Sequence, residues 1–261
     1  MSRDTERANL PATLAPDCGI LRSHTPARVG LRTAGTSLAT SEILDLNLCL
    51  AEARDALNAR LSAASLVSQL AGRGYQTLRL QSAARDRNEY LRRPDLGRQL
   101  SADSRAILDT RASQTSASSL AIVIADGLSA IAAERHAIPL LDALRPLSDL
   151  AGAPVVIAEQ ARVAIGDEIG ECLNAELVLL LIGERPGLSS PDSLGAYITW
   201  APRVGRTDAE RNCISNIRPT GLSYAEAASR IARYLQAARQ AKLTGVELKE
   251  DSVLLSDAAS E

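Results

Sequence analysis

The chain has 261 residues, 46% hydrophobic and 23% charged, which suits one large α/β domain or two small ones around a sizeable core. A formal net charge of −2 supplies no global field for nucleic acid or an anionic membrane, and no Phe, one Trp and five Tyr equip it poorly for stacking on single strands. No apolar run approaches the ~20 residues of a membrane helix and no secretory signal opens the chain. Cys18, Cys49, Cys172 and Cys213 are scattered without a CxxC pair, which points to free thiols in a reducing cytoplasm.

In chain order, residues 1–22 are polar and Pro-containing, and are expected to form a tail. A loop-like stretch with two Gly and two Arg follows at 24–36. Thr40 or Ser41 caps a long helix, with Glu42 and Asp45 in its first turn and Ile43, Leu46, Leu50, Ala53 and Leu57 along one face. Gly72 and Gly74 end it or a short successor, and 75–81 alternates imperfectly as a strand. Residues 82–100 hold five Arg against three acids, with a turn at Pro94-Asp95-Leu96-Gly97. Ser101 caps a helix through Ile107 and Leu108.

From there the pattern changes. Residues 119–125 (SLAIVIA) read as a strand ending at Asp126-Gly127, with a helix carrying Leu128, Ile131 and Ala132 directly behind. Further strands are expected at 154–158, 177–182 and 197–201. The last helix has capping-box spacing at Ser223 and Glu226, an apolar stripe of Ala228, Ile231, Ala232 and Leu235, and a stop at Gly245. This spacing predicts an α/β fold: a right-handed, mostly parallel sheet with intervening helices over 116–249. A mainly helical region over 23–115 precedes it, and an acidic tail runs over 250–261.

Three segments could carry chemistry. The loop 183–193 follows a continuous apolar run, and Ser190, Pro191 and Asp192 can open a helix beyond the strand end, where open α/β sheets bind ligands; a plain tight connection fits as well. Glu184 there is expected to be partly desolvated and to need donors from a ligand or from Arg185. In 160–171, Asp167, Glu168 and Glu171 could suggest a metal or an acid/base pair, but a solvated helix start favoured by the dipole is the better reading. In 207–217, Cys213 has no His nearby in sequence and reads more simply as a small buried hydrophobe, while Asn212, Ser215 and Asn216 suit amide or hydroxyl recognition. His24 and His136 are too few for a metal site or a triad, and neither GxGxxG nor GxxxxGK with Ser or Thr occurs. No catalytic residue and no metal ligand is expected. The pattern suits a pocket that holds something.

Several motifs in order resemble one family over about residues 22–249. They are Ala27-Arg28 with Ala34-Gly35, Asp86-Arg87 with Tyr90-Leu91, Arg93-Pro94-Asp95-Leu96-Gly97-Arg98 and Asp126-Gly127-Leu128-Ser129. Asp167-Glu168-Ile169-Gly170-Glu171, Gly183-Glu184-Arg185-Pro186-Gly187-Leu188 and Cys213-Ile214-Ser215-Asn216-Ile217 complete the set. The chain thus resembles the small (light) subunits of ethanolamine ammonia-lyase. The resemblance implies a Rossmann-like, doubly wound cobalamin-binding domain over 116–249 with helices on both faces. It also implies an adenosylcobalamin-dependent radical conversion of ethanolamine to acetaldehyde and ammonia. A large TIM-barrel subunit would hold the substrate, and the cofactor would lie between the subunits.

The family's cobalamin contacts carry over to Val163, packing on the corrin or offering backbone groups, Glu184, accepting from side-chain amides, and Cys213, filling space. Ala161 stands where Gly is expected, and Cys49 where a polar residue is usual. Arg-rich 82–98 would dock on the large subunit, and the complex would reside in the cytoplasm, within a bacterial microcompartment. A flavodoxin-like nucleotide-binding module without cobalamin is the alternative. No Asp-x-His-x-x-Gly cobalt-ligand motif occurs, so the cofactor is expected to keep its own benzimidazole on the metal. Electron paramagnetic resonance of the holo complex tests this: superhyperfine splitting from a protein imidazole would refute it.

Overall fold

The computed structural model describes residues 19–25, 27–112 and 118–249. Most of the tail expected over 1–22, and all of that over 250–261, lie outside them. By contacts the chain divides into two compact units, residues 1–51 and 52–261.

The first unit contains α1 (Gly19–His24), the two-residue strands β1 (Thr33–Ala34) and β2 (Ser37–Leu38), paired antiparallel, and most of α2 (Thr40–Asn58). Arg28 donates to Asp45 at 3.3 Å and lies 2.8 Å from Cys49 Sγ, and Arg32 donates to Glu42 at 3.0 Å, so side chains of α2 hold the preceding loop. The apolar stripe expected along α2 is not buried as a stripe. Ile43 and Leu50 are exposed, as are Leu44 and Leu48, and Ala56 alone of the helix is fully buried. Leu44 and Leu48 add apolar side chains off that stripe, so the helix is apolar around much of its surface and no single face of it is buried among the described residues.

The second unit is built on a six-stranded sheet. Its elements are α3 (Ala63–Ala71), β3 (Thr77–Gln81), α4 (Arg87–Arg92), α5 (Ala102–Ala112), β4 (Ala121–Ala125), α6 (Ala130–Leu144), β5 (Val155–Glu159), α7 (Ile165–Cys172), β6 (Leu177–Gly183), β7 (Leu194–Trp200), β8 (Asn212–Ile217) and α8 (Tyr224–Ala241). Strand order is β3-β5-β4-β6-β7-β8. The first four strands are parallel; β7 and β8 add on antiparallel. β3, from the segment N-terminal to residue 115, is thus an edge of the same sheet.

Every residue of β4 and β6 is buried, as a strand covered on both faces requires. Ile122 and Ile124 belong to a core shared with α3, α6 and α8, whereas Ala121, Val123 and Ala125 pack in a second core with α5 and α7. Period-two alternation therefore sorts one strand into two layers. The chain passes from β4 to β5 over one face through α6 and returns past β4 to β6 over the other through α7. Opposite directions across opposite faces give both crossovers the same hand.

Two expectations need correction. No helix opens at Ser190: that residue closes a tight turn with Gly187, N to O at 3.2 Å and 3.0 Å in reciprocal hydrogen bonds, and β7 follows antiparallel to β6. Asp192, instead of entering a first helical turn, accepts from Arg135 at 3.0 Å. Likewise 212–217 is a strand, unread because its short alternation is masked by polar residues on the exposed face. At the end of the chain the Ser223–Glu226 capping box forms, but Lys242, in the left-handed region at φ 54°, ends α8 three residues before Gly245.

Gly183 and Gly127 allow the loops after β6 and β4 to touch. A Cβ on Gly183 would sit on the carbonyl oxygens of Ser129 and Asp126, and one on Gly127, at φ +55°, on the carbonyl of Gly183. Backbone has to yield in either case. Gly183→Ala should cost about 3 kcal/mol, the upper end for overpacking, read as a lowered urea midpoint; Gly72→Ala, which meets only ordinary contacts at 3.6 Å, should leave the midpoint unchanged.

Candidate functional site

The crossovers diverge from β4, so the C-terminal ends of β4 and β6 flank a crevice at the point where the winding reverses. A cavity of about 300 Å³ opens there, lined among others by Gly127, Arg162, Val163, Glu184, Arg185 and Tyr197. That is the lower bound of small-molecule sites. A larger hollow of about 500 Å³ lies before β3 and β5, at the other rim. Its arginines are engaged, Arg73 with Asp142 at 2.9 Å and Arg145 with the Arg73 carbonyl at 2.8 Å, and no strand C-terminus reaches it.

The floor of the crevice is organised by Asp126, at the end of β4 and 1% exposed. Its two oxygens accept from the backbone N–H groups of Gln160 and Ala161, each at 2.9 Å. Those bonds hold Gln160 in the left-handed region at φ 56°, which turns the chain after β5 toward Val163. Arg87 reaches Asp126 at 3.4 Å and also donates to the carbonyls of Gly127 and Leu57, both at 2.8 Å. Burial pushes the Asp126 carboxyl up to about 6, against the Ala161 N–H and the Arg87 charge; burial also lowers Arg87. Tyr90 donates to the Ala161 carbonyl at 3.0 Å, and its ring lies between the guanidinium groups of Arg87 (4.8 Å) and Arg162 (4.3 Å). Arg87 was expected on a docking surface with the rest of 82–98; it is buried instead, because Asp126 requires a cation. Asp126 and Tyr90 are positions that shape the crevice and that the residues alone did not single out. The available signal was a carboxylate directly after an all-apolar strand.

One wall is set by Glu184, half-buried, whose carboxylate accepts from the hydroxyls of Ser193 and Ser215 and from the Asn216 N–H at 3.2 Å. The donors Glu184 was expected to seek in a ligand or Arg185 come mainly from β7's start and β8. Arg185 is exposed. Val163 and Glu184 line the same cavity. Cys213 lies on β8 opposite Tyr197 in register, hydrogen-bonded to the hydroxyl of Tyr197, which does line it. Cys213 is exposed in the chain, contrary to its reading as a buried hydrophobe. Desolvation pushes its thiol up despite the Tyr197 hydrogen bond, so the thiolate a nucleophile needs is disfavoured.

Asp167 and Glu168 are not a solvated helix start. Both are buried in the first turn of α7, Asp167 paired with Arg211 and Glu168 with Arg105 and the Leu100 N–H. Burial raises Asp167 to about 6 against the Arg211 charge. Glu171 is exposed and accepts from the Val204 N–H at 3.0 Å. His136 is a core residue of α6, 2.7 Å from the Tyr224 hydroxyl and held below its ordinary value by burial. Among the described residues no three His, Cys, Asp or Glu side chains gather where a metal ion could sit.

A family model described as ethanolamine ammonia-lyase light chain matches residues 17–249. A protein of Azotobacter vinelandii named ethanolamine ammonia-lyase small subunit is 52% identical over 236 residues, covering 89% of this chain and 87% of its own. Proteins of the same name from Xanthomonas campestris pv. campestris (strain B100) and Ralstonia nicotianae are 52% and 50% identical, covering 92% and 94% of this chain and 91% and 93% of theirs.

The Asp126 carboxyl carries a pH signature. With its folded value near 6 above the ordinary 3.8, it binds its proton more tightly folded than unfolded. Its contribution to stability is fully present below the unfolded value and is lost as pH rises through the folded one. The stability difference between the wild type and Asp126→Asn should therefore shrink between about pH 4 and pH 7, measured by urea unfolding across that range.

Proposed function

The chain belongs to the ethanolamine ammonia-lyase light-chain family, and from that membership we propose that it is the small subunit of an adenosylcobalamin-dependent lyase converting ethanolamine to acetaldehyde and ammonia. It works only with the large catalytic subunit, which holds the substrate, and the corrinoid lies where the two polypeptides meet. The family membership favours this reading over a flavodoxin-like nucleotide-binding module without cobalamin.

The crevice residues fit such a group. The Glu184 carboxylate is the observation that carries the site. A carboxylate offers about four acceptor positions, and three donors of the chain itself occupy Glu184. The remaining position suits one N–H of a side-chain amide on the corrin periphery. Val163 offers an apolar contact, and Tyr197 with Cys213 extends the wall. Arg162 brings to the cavity a buried Nε with no hydrogen-bond partner among the described residues. A cavity of about 300 Å³ takes part of a corrinoid, consistent with a second subunit covering the remainder.

When bound, adenosylcobalamin supplies the radical chemistry that side chains cannot. This chain's residues hold and orient: Asp126 fixes the turn that presents Val163, the Ser193 and Ser215 hydroxyls fix Glu184, and the close backbone approach at Gly127 and Gly183 joins the loops after β4 and β6. The exposed apolar side chains of α2, Leu44, Leu48 and Leu50, support docking of the N-terminal region, residues 23–115, on the large subunit. Among the described residues no helix is long and apolar enough to cross a membrane; residence in the cytoplasm, within a bacterial microcompartment, belongs to the same proposal.

Mixing this chain with a cognate large subunit and adenosylcobalamin should red-shift the corrinoid absorption and release ammonia from ethanolamine, with neither effect when either chain is omitted. Glu184→Ala should weaken cofactor binding by about tenfold, as loss of one charge-assisted hydrogen bond implies. Unchanged cofactor affinity would leave a purely structural partner.

A further inference from the structure

The cavity carries a charge that its own walls do not answer. Arg162 and Arg185 line it against Glu184, and among the described residues neither arginine closes an ion pair with that carboxylate, whereas Arg87 behind the lining is paired with Asp126. Glu184 is satisfied by hydroxyls and an N–H, not by a cation. Arg162 has no ion pair and no side-chain hydrogen bond among the described residues, and its Nε is buried without a partner. It is nevertheless held in place. Its backbone N–H donates to the Gly97 carbonyl at 2.7 Å, its guanidinium lies 4.3 Å over the Tyr90 ring, and its stem crosses Gly97 so closely that a Cβ there would fall 2.9 Å from Arg162 Cγ. An arginine clamped between a glycine and an aromatic face, with its donor edge unanswered, is organised in advance for a planar pair of anionic oxygens. The residue is half-buried: its Nε lacks a partner, while its terminal nitrogens are not among the buried unpartnered atoms and stay open to a ligand.

We propose that Arg162 is the anion-recognising residue of this cavity and that it binds a phosphoryl group of the ligand, with Arg185 at the rim as a second, mobile cation. The source of the phosphoryl group rests on the cobalamin reading: it is the phosphodiester that links the corrin to its benzimidazole nucleotide. A free phosphate or nucleotide would present the same oxygens.

The test uses the assembled complex with the large subunit and isothermal titration of cobinamide and of cobinamide phosphate, which differ in the phosphate alone. The wild type should bind cobinamide phosphate about tenfold or more tightly than cobinamide, as a charge-assisted bidentate contact implies. Arg162→Met should erase that ratio while cobinamide, which lacks the phosphate, still binds, and Arg162→Lys should restore part of it. Equal weakening of both corrinoids in Arg162→Met, or a preserved ratio, overturns the proposal. If neither corrinoid binds the wild type, the cobalamin reading fails by itself. Titration of inorganic phosphate then decides the anion site: Arg162-dependent binding sustains it, and no such binding overturns it.

Discussion

A carboxylate at the end of a fully buried strand must find donors inside the protein, and Asp126 finds them in three places that then cannot move independently. Two are backbone N–H groups of the turn after β5, and the third is a guanidinium from α4, a helix that packs outside the strand layers. Removing the carboxylate would release the left-handed residue at Gln160, leave Arg87 buried without a counter-ion and free the loop that carries Arg162 and Val163. The crevice is thus shaped by one ion that is not among the residues lining it. Tyr90 reinforces the arrangement by bonding the Ala161 carbonyl while its ring separates two like charges.

The antiparallel pair β7 and β8 gives the site its second wall. A doubly wound sheet ending at β6 would leave Glu184 at an open edge. Folding back through the Gly187–Ser190 turn brings Ser193, Ser215 and Asn216 to its carboxylate, so the acid is held by neutral donors. The same fold-back places Tyr197 at the cavity wall with Cys213 beside it on the neighbouring strand.

Much of this frame was legible because burial on both faces leaves an unmistakable trace: β4, β5 and β6 stand out as unbroken aliphatic runs, and the Ser223–Glu226 box marks α8. Where the reading failed, the local chemistry was ambiguous. Ser190, Pro191 and Asp192 serve a tight turn as well as a helix start, and only pairing with β6 decides between them. Asp167 and Glu168 look like dipole-matched surface acids because their partners, Arg211 and Arg105, are 44 and 63 residues away. Arg87, 39 residues before Asp126, was hidden among neighbouring arginines for the same reason. Charge pairing at that distance has no periodicity to betray it.

The near-saturation of Glu184 also bears on what the crevice refuses. An alkylammonium carries three N–H donors and needs about as many acceptors, whereas this carboxylate has roughly one lone pair to spare and two unanswered guanidinium groups stand beside it. A small alkylammonium ion would be under-solvated at this rim. The selectivity of this edge therefore follows from two serine hydroxyls, which take up the acceptor positions such a cation would need.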